Sequence, residues 1–211
     1  MSEQAKIRVM IVDDHAVVRS GLGAFIATIP DLELIGEAEN GEQAVVRAKA
    51  LRPDVILMDL MMSGMDGVTA TRTIKEQNPS VQIIVLTSFQ EDELVRNAMN
   101  AGAIGYLMKN VTVHELETAI RAAKKGKMFL SPEAAQSLVR ATQQPVEAEM
   151  LTEREREILK LMTEGLNNAE IAERIVVSIS TVKYHVSNIL VKLSVDNRVA
   201  AVTTAIQKKI I

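Results

Sequence analysis

The sequence predicts an α/β domain, a doubly wound sheet of five parallel strands, followed by a smaller all-α domain of four helices. Three observations lead to this prediction. Short apolar runs alternate five times with helical patterns in the first 130 residues, and from Leu151 the pattern is purely helical. The stretch between these parts is rich in Ala, Gln and Ser. Five βα repeats favour a parallel sheet with helices on both faces and right-handed crossovers.

The predicted strands of the first domain are rich in apolar residues and suit burial on both faces. Gly102 and Gly126 stand where the fourth and fifth helices should end. In chain order the strands are Ile7–Val12, Leu32–Glu39, Val55–Met58, Ile83–Leu86 and Gly105–Leu107. The helical patterns between and after them span about 15–28, 41–51, 66–77, 91–101 and 112–125.

The second half divides into a linker and a helical domain. The composition predicts domains at 1–130 and 150–211, joined by a linker at 131–149 that contains Pro132 and Pro145. Within this linker, Glu133–Arg140 has the pattern of a short helix. The helices predicted after it are Thr152–Glu164, Asn168–Ile175, Ile179–Leu193 and Arg198–Lys209, with a capping box at Thr152 and Glu155 and an N-cap at Ser178.

Composition excludes several kinds of chemistry. The chain of 211 residues has no Cys, which excludes disulfides, thiolate metal sites and Cys nucleophiles. Three scattered His residues do not suggest a His-built metal site. No stretch approaches the ~20 apolar residues that a membrane span needs. We therefore expect a soluble, cytoplasmic protein with no membrane partner.

Charge is divided unevenly along the chain. Residues 1–130 carry 17 acids and 14 bases, residues 131–149 three acids and one base, and residues 150–211 seven acids and nine bases. After Ser178 the sequence contains one acid, Asp196. The same stretch contains five bases: Lys183, Lys192, Arg198, Lys208 and Lys209. This asymmetry suggests two domains with different partners, although the charge difference alone is within ordinary surface variation.

Polar residues follow four of the five predicted strands. They are Asp13 and Asp14, Asp59, Thr87, and Lys109. Ligands of a doubly wound sheet bind beyond the carboxyl ends of its strands, so these side chains should meet there. Three carboxylates repel one another unless a cation such as Mg2+, which prefers oxygen ligands, is present. A carboxylate that attacks phosphorus would form an aspartyl phosphate, whereas any one of these residues alone would more often cap a helix.

These residues stand in motifs that resemble the flavodoxin-like receiver domain of two-component response regulators over about residues 5–127. The resemblance implies that Asp59 accepts a phosphoryl group from a sensor histidine kinase, and that Thr87 and Lys109 contact this group. It implies a Mg2+ site of Asp13, Asp14, Asp59 and the Met61 carbonyl, with Tyr106 as the rotating switch residue. The motifs are Val12-Asp13-Asp14-His15, Met58-Asp59-Leu60-Met61-Met62, Met65-Asp66-Gly67, Leu86-Thr87-Ser88 and Gly105-Tyr106-Leu107-Met108-Lys109.

Two positions depart from the family pattern. Ser63 replaces the common Pro four residues after the phosphoacceptor, and Asn110 replaces the common Pro after the Lys. Because a cis peptide before a residue other than Pro costs about 3 kcal/mol, a cis bond at Asn110 is not expected.

The third helix of the second domain combines two faces. Its apolar face carries residues at core spacing, while its other face carries side chains that can reach phosphates or base edges. One helix fits the DNA major groove, about 12 Å wide. The apolar set is Val182, Val186, Ile189, Leu190 and Leu193, and the polar set is Thr181, Lys183, Tyr184, Ser187, Asn188 and Lys192.

This domain resembles the LuxR-type helix-turn-helix, and the whole chain resembles a response regulator of the NarL/FixJ class. The resemblance implies that Lys183, Tyr184 and Ser187 face bases in promoter DNA, and that Thr181, Asn188 and Lys192 lie near the DNA backbone. The supporting motifs are Leu151-Thr152-Glu153-Arg154-Glu155, Glu170-Ile171-Ala172 and Thr181-Val182-Lys183-Tyr184-His185-Val186. The family often has Ser or Thr before the Asn that starts the second helix, where this chain has Asn167-Asn168.

Two further expectations concern assembly and subgroup. Phosphorylation should favour a homodimer that places two recognition helices one DNA turn apart, ~34 Å. Val199, Val202 and Ile206 are candidates for the dimer face or for the core. The run Leu86–Glu93 also resembles regulators of cell-envelope stress in low-GC Gram-positive bacteria.

Two other classes of function compete with this interpretation. Phosphohydrolases also combine an Asp nucleophile with Mg2+, but generally have a second acid two residues beyond it, where this chain has Met61. The other class is a DNA-binding or scaffold protein that works without phosphorylation and whose acidic pocket is vestigial. The complete acidic set argues against it.

Overall fold

The computed structural model describes residues 5–88, 92–143, 151–193, 195, 197–208 and 210. Contacts divide the chain into two units, Met1–Gln144 and Pro145–Ile211. Glu91, residues 144–149, Asp196 and Lys209 were included in the sequence predictions and lie outside the described residues. None of the described helices has both the length and the apolar composition that crossing a membrane requires.

The first unit is a parallel sheet with helices on both faces, as predicted. Its order is β2-β1-β3-β4-β5-β6. Its elements are β1 (Ile7–Val12), α1 (Ala16–Ala27), β2 (Leu32–Ala38), α2 (Gly41–Leu51), β3 (Val55–Met58), α3 (Gly67–Gln77), β4 (Gln82–Thr87), α4 (Asp92–Asn100), β5 (Gly105–Met108), α5 (Val113–Lys124), β6 (Phe129–Leu130) and α6 (Pro132–Gln143).

The predicted count of five strands is wrong, because the sheet has six. Phe129 and Leu130 form β6, which pairs in parallel with Gly105 and Tyr106 of β5. Two residues are too few to show the alternation by which a strand is recognised in a sequence. The consequence is that β5 is an inner strand rather than the edge of the sheet.

Burial on both faces of the sheet explains its continuous apolar strands. Along β1, Val9 and Ile11 pack on the side of α1 and α5. Met10 and Val12 pack on the other side, with α2 and α3. All four residues of β3 are buried. Because side chains alternate along a strand, both faces need apolar residues wherever helices cover both.

The predicted linker at 131–149 contains more regular structure than its sequence pattern indicated. The helix α6 spans Pro132–Gln143, where the sequence suggested a shorter helix at Glu133–Arg140, and it contacts α4 of the same unit. The Ser131 hydroxyl accepts a hydrogen bond from the Ala134 amide at 3.2 Å, in the first turn of α6. The functional domain boundaries at 130 and 150 stay predictions.

The second unit consists of helices in its described part, as predicted. They are α7 (Glu153–Thr163), α8 (Asn168–Arg174), α9 (Ile179–Leu193) and α10 (Arg198–Gln207). The Thr152–Glu155 capping box is confirmed, and a second capping box joins Asn167 to Glu170. The predicted N-cap at Ser178 is confirmed too, since its hydroxyl accepts a hydrogen bond from the Thr181 amide at 3.1 Å.

Gly67 allows the start of α3 to approach the loop after β3. A Cβ atom at this position would overlap the Asp59 carbonyl oxygen and would lie 2.8 Å from Leu60 Cα. We expect Gly67→Ala to lower the free energy of unfolding by about 1–3 kcal/mol, since backbone atoms must move to admit the methyl group. Urea denaturation of the full chain measures the change.

Gly21→Ala is the matched control for this substitution. Gly21 lies inside α1, and a Cβ atom there would meet no atom within 4 Å. The free energy of unfolding of this variant should rise by about 0.5–1 kcal/mol, because alanine restricts the unfolded chain more than glycine does. Equal stabilities of the two variants would show that the close approach at Gly67 has no energetic consequence.

Candidate functional sites

The carboxyl ends of the parallel strands place the predicted polar residues at one edge of the sheet. Asp13 and Asp14 follow β1, Asp59 follows β3, Thr87 ends β4, and Lys109 follows β5. These four strands are neighbours in the order β1-β3-β4-β5. The chain reverses its direction of winding between β1 and β3, which is where doubly wound sheets open a crevice.

Lys109 joins two buried carboxylates at the centre of this site. Its Nζ atom lies 2.7 Å from Asp13 Oδ2 and 2.8 Å from Asp59 Oδ2. Only 3% of each carboxylate side chain is exposed. One ammonium group faces two carboxylates, so the three side chains carry a net negative charge when all are ionised. A cation would therefore be attracted to the site.

Burial and mutual charge set the protonation of this group. Burial raises the pKa of the Asp59 carboxyl, and the nearby Asp13 charge adds to the rise, while Lys109 opposes it. Burial alone would lower the pKa of Lys109, but the Asp59 and Asp13 carboxylates outweigh it and raise that pKa. Lys109 therefore stays a cation. Burial makes the ionised form of Asp59 energetically unfavourable, and a bound cation would reduce this penalty.

The site provides a donor set that fits a hard divalent cation. Ligand atoms of Asp13, Asp14, His15 and Asp59 all lie within 4.8 Å of one another. Carboxylate oxygens are the ligands that Mg2+ prefers. Met61 lies beside them, since its amide donates to Asp59 Oδ1 at 3.4 Å.

His15 and Arg19 are two residues of the site that sequence reasoning missed. His15 Nδ1 lies 2.7 Å from Asp14 Oδ1. Arg19 is largely buried in α1 and donates to the Asp13 carbonyl at 2.8 Å and to Glu39 at 2.9 Å. The position of His15 after two aspartates was a usable signal, whereas an arginine inside a helix gives none.

Thr87 and Tyr106 lie fully buried behind the carboxylates. Among the described residues, Thr87 Oγ1 has no hydrogen-bond partner. A buried hydroxyl left in this state costs about 1–3 kcal/mol, so its presence calls for an explanation. Tyr106, the switch residue that the resemblance implies, is fully buried, and its backbone pairs with Leu130 of β6.

The second candidate site is the exposed face of α9. Lys183 and Ser187 are exposed, as predicted, and Asn188 is half-buried. Among the described residues, Asn188 Nδ2 has no hydrogen-bond partner. Thr181 and Tyr184 were expected on the same face and are instead buried. The Thr181 hydroxyl lies 2.8 Å from the Ser178 hydroxyl, in the cap that begins the helix.

Two of the basic residues counted in this region are engaged inside the domain. Lys192 Nζ lies 2.7 Å from Glu155 Oε2, and the Glu155 side chain is 0% exposed. Arg198 donates to the Asn168 side chain at 3.1 Å and to the Leu166 carbonyl. The positive charge left to face a partner is therefore smaller than the sequence count suggested.

Comparisons with known proteins find a matching family for each of the two regions. Residues 9–121 match the response regulator receiver domain, and residues 149–205 match the luxR family of bacterial regulatory proteins. The chain is 43% identical over 206 residues to the response regulator protein VraR of Staphylococcus aureus, which covers 97% of this chain and 99% of VraR.

Solved structures with a similar fold include two-domain response regulators. The response regulator ChrA of a heme-sensing two-component system is 36% identical, with a TM-score of 0.56, and the match covers 99% of this chain and 100% of ChrA. The response regulator RcsB in complex with DNA is 28% identical, with a TM-score of 0.60, over 94% of this chain and 97% of RcsB.

Proposed function

Because this chain belongs to the response regulators that join a receiver domain to a LuxR-type DNA-binding domain, we propose that phosphorylation of Asp59 controls its binding to DNA. The family makes it a transcription regulator and not a turnover enzyme. The phosphoryl donor in the proposal is a sensor histidine kinase. The result of phosphorylation is a homodimer with higher affinity for promoter DNA.

The observation that carries the proposal is the group of Asp59, Lys109 and Thr87. A carboxylate oxygen of Asp59 attacks the phosphorus of the phosphohistidine, an O–P bond forms, and the P–N bond breaks. The leaving imidazole keeps the electron pair of that bond and takes up a proton. Lys109, already 2.8 Å from Asp59 Oδ2, then pairs with a phosphoryl oxygen.

Asp13, Asp14, Asp59 and the Met61 carbonyl would hold Mg2+ in this proposal. When bound, the ion neutralises negative charge on the carboxylates and the incoming phosphoryl group. Among the described residues, the buried Thr87 hydroxyl has no partner, so it can donate to a phosphoryl oxygen without breaking another hydrogen bond. The movement of Thr87 leaves space into which Tyr106 can rotate.

The contact between α4 and α6 offers a route from this site to the rest of the chain. The helix α4 begins at Asp92, five residues after Thr87, and contacts α6. The helix α6 is the last element before the second unit. A shift of Thr87 that moves α4 would therefore change the packing of α6. Interfaces of this kind tend to have two discrete arrangements.

The DNA-binding face of the proposal is narrower than the sequence suggested. Lys183 and Ser187 face base edges, and Asn188 reaches a phosphate. Thr181, Tyr184 and Lys192 act through the packing of α9, because they are buried or paired within the domain. On α10, Val199 and Ile206 are exposed and lie two turns apart on one side, which suits a dimer face.

Treatment with a small phosphodonor and Mg2+ tests the proposed function. We expect phosphorylation to move sedimentation velocity from monomer to dimer and to lower the Kd for promoter DNA at least about tenfold, a coupling of ~1.4 kcal/mol. Complete phosphorylation with no change in either quantity would favour a protein whose DNA binding does not depend on phosphorylation.

Asp13→Asn tests the metal site. Loss of one carboxylate should weaken Mg2+ binding at least about tenfold, since affinity for hard cations depends on the number of charged ligands. Isothermal titration calorimetry measures the affinity. The matched control is Asp31→Asn, which removes an exposed carboxylate that pairs with Arg121. Equal Mg2+ affinity of the two variants would place the ion elsewhere.

The phosphohydrolase alternative loses support from the structure as well as from the family. A phosphohydrolase would need an acid at position 61 that can reach water and substrate. Met61 has an apolar side chain that is only 4% exposed. This position therefore has no group to protonate a leaving alcohol.

A further inference from the structure

The exposed side of α9 is only partly polar. Its exposed residues recur every fourth position, as Ile179, Lys183, Ser187 and Val191. Residues four apart lie on one side of a helix, so these side chains form one stripe. The stripe has no acidic neighbour on its own helix, because α9 contains no Asp or Glu. A polyanion could therefore approach it without charge repulsion from α9.

Ile179 is the first residue of this stripe and of the helix. The residue is 47% exposed, so packing inside the domain explains only part of its apolar surface. The Ser178 cap fixes the backbone at this end of the helix, since Ser178 Oγ accepts a hydrogen bond from the Thr181 amide. An apolar side chain therefore projects from a rigid position.

The place of Ile179 in the fold determines what it can contact. In a helix-turn-helix, the N-terminal residues of the second helix reach base edges in the major groove. Here α8 and α9 are the two helices, and α9 begins at Ile179. Lys183 lies one turn further along, a rise of about 6 Å, which corresponds to roughly two base-pair steps.

The chemistry of the groove selects one base. Thymine alone presents a methyl group in the major groove, and an apolar side chain is the group that recognises it. We propose, on the basis of the function proposed above, that Ile179 determines specificity by contacting the methyl group of a thymine. This thymine lies about two base pairs from the base pair that Lys183 contacts.

Deoxyuridine provides a direct test, because it differs from thymidine by that methyl group alone. Preferred duplexes are first selected from a random pool with the phosphodonor-treated full chain. Each thymine of the selected half-site is then replaced in turn by deoxyuridine, and fluorescence anisotropy gives the Kd. We expect one replacement to weaken wild-type binding about three- to fivefold, the effect of one buried methyl group.

The variants show whether Ile179 is the residue that reads this methyl group. Ile179→Ala should bind the thymine duplex more weakly and should show less than about 1.5-fold sensitivity to the same replacement, because contact partners are not additive. Ile179→Val should keep part of the sensitivity. Val191→Ala is the matched control, since Val191 is an exposed apolar residue of the same stripe three turns away. This variant should keep the full sensitivity to the deoxyuridine replacement. Circular dichroism verifies that each variant is folded.

Four results would overturn the inference, and they are distinguishable. If Ile179→Ala keeps the full deoxyuridine penalty, another residue reads the methyl group. If no thymine of a selected half-site is sensitive, or if Ile179→Ala loses affinity equally for random DNA, Ile179 does not determine specificity although the proposed function stands. If the phosphorylated chain enriches no duplex at all, the proposed function fails and this inference fails with it.

Discussion

Asp59→Asn is expected to reduce phosphoryl uptake from a small phosphodonor by more than about 100-fold, because an amide is not a nucleophile for phosphorus. The variant should also keep the monomeric sedimentation and the low DNA affinity of the untreated protein. Phosphate-affinity electrophoresis measures uptake, while sedimentation velocity and fluorescence anisotropy measure the response.

A matched control separates loss of the nucleophile from loss of any strand-end carboxylate. Asp54 lies at the opposite end of β3 and pairs with Lys124 at 2.6 Å. Asp54→Asn should therefore accept phosphoryl groups at a rate close to that of the wild type. If the untreated Asp59→Asn variant dimerises and binds DNA as the treated wild type does, then the charge of Asp59, rather than its phosphorylation, controls the output.

Asp59→Asn should also have a higher free energy of unfolding than the wild type at neutral pH without Mg2+. Burial raises the pKa of Asp59 above its ordinary value. Its ionised form therefore lowers stability increasingly as pH rises from the unfolded value of about 3.9 through the folded value. The gain for Asp59→Asn should be present at pH 7 and disappear near pH 3. If Asp59→Asn and the wild type have the same unfolding midpoint at pH 7 as well as at pH 3, then Lys109 fully offsets the effect of burial.

Lys192→Met is expected to destabilise the second domain by about 3–5 kcal/mol, because it removes the partner of a buried charge. Glu155 is fully buried, and the Lys192 ammonium lies 2.7 Å from its carboxylate. A domain of this size loses about 4–8 °C in melting temperature per kcal/mol. Thermal unfolding of the full chain, followed by circular dichroism, measures the loss.

Two controls identify the cause. Lys160 is an exposed lysine of α7, so Lys160→Met should change stability by less than about 0.5 kcal/mol. The double variant Glu155→Gln with Lys192→Met should recover most of the loss, since it leaves no uncompensated charge. An unchanged melting temperature together with weaker DNA binding of Lys192→Met would instead support the original prediction that Lys192 contacts the DNA backbone.

The acidic site could be predicted from the sequence almost completely, and the DNA-facing helix only in part. Asp13, Asp59 and Lys109 each follow a strand, and the carboxyl ends of neighbouring parallel strands always meet at one edge of the sheet. Assigning strands was therefore enough to bring these residues together. His15 completes the group and was missed because the motif that contains it implied no role for the N-cap of α1.

The periodicity of the sequence along α9 located its apolar face. It did not show how much of the helix circumference is buried. Three other helices, α7, α8 and α10, contact α9. Thr181 and Tyr184 are buried in addition to apolar residues of the pattern. The sequence pattern of one helix contains no information on how many neighbours surround it.

The sequence by itself determined the order of strands and helices, the division into two kinds of domain, the acidic site and the family. Each of these depends on residues close together in the chain, or on the fixed geometry of a parallel sheet. Only the tertiary structure decided that Lys192 pairs with Glu155, that β6 pairs with β5 at Tyr106, and that Ile179 stands exposed at the start of α9. Glu155 and Lys192 are 37 residues apart, and no local pattern specifies which distant side chains will share one buried space.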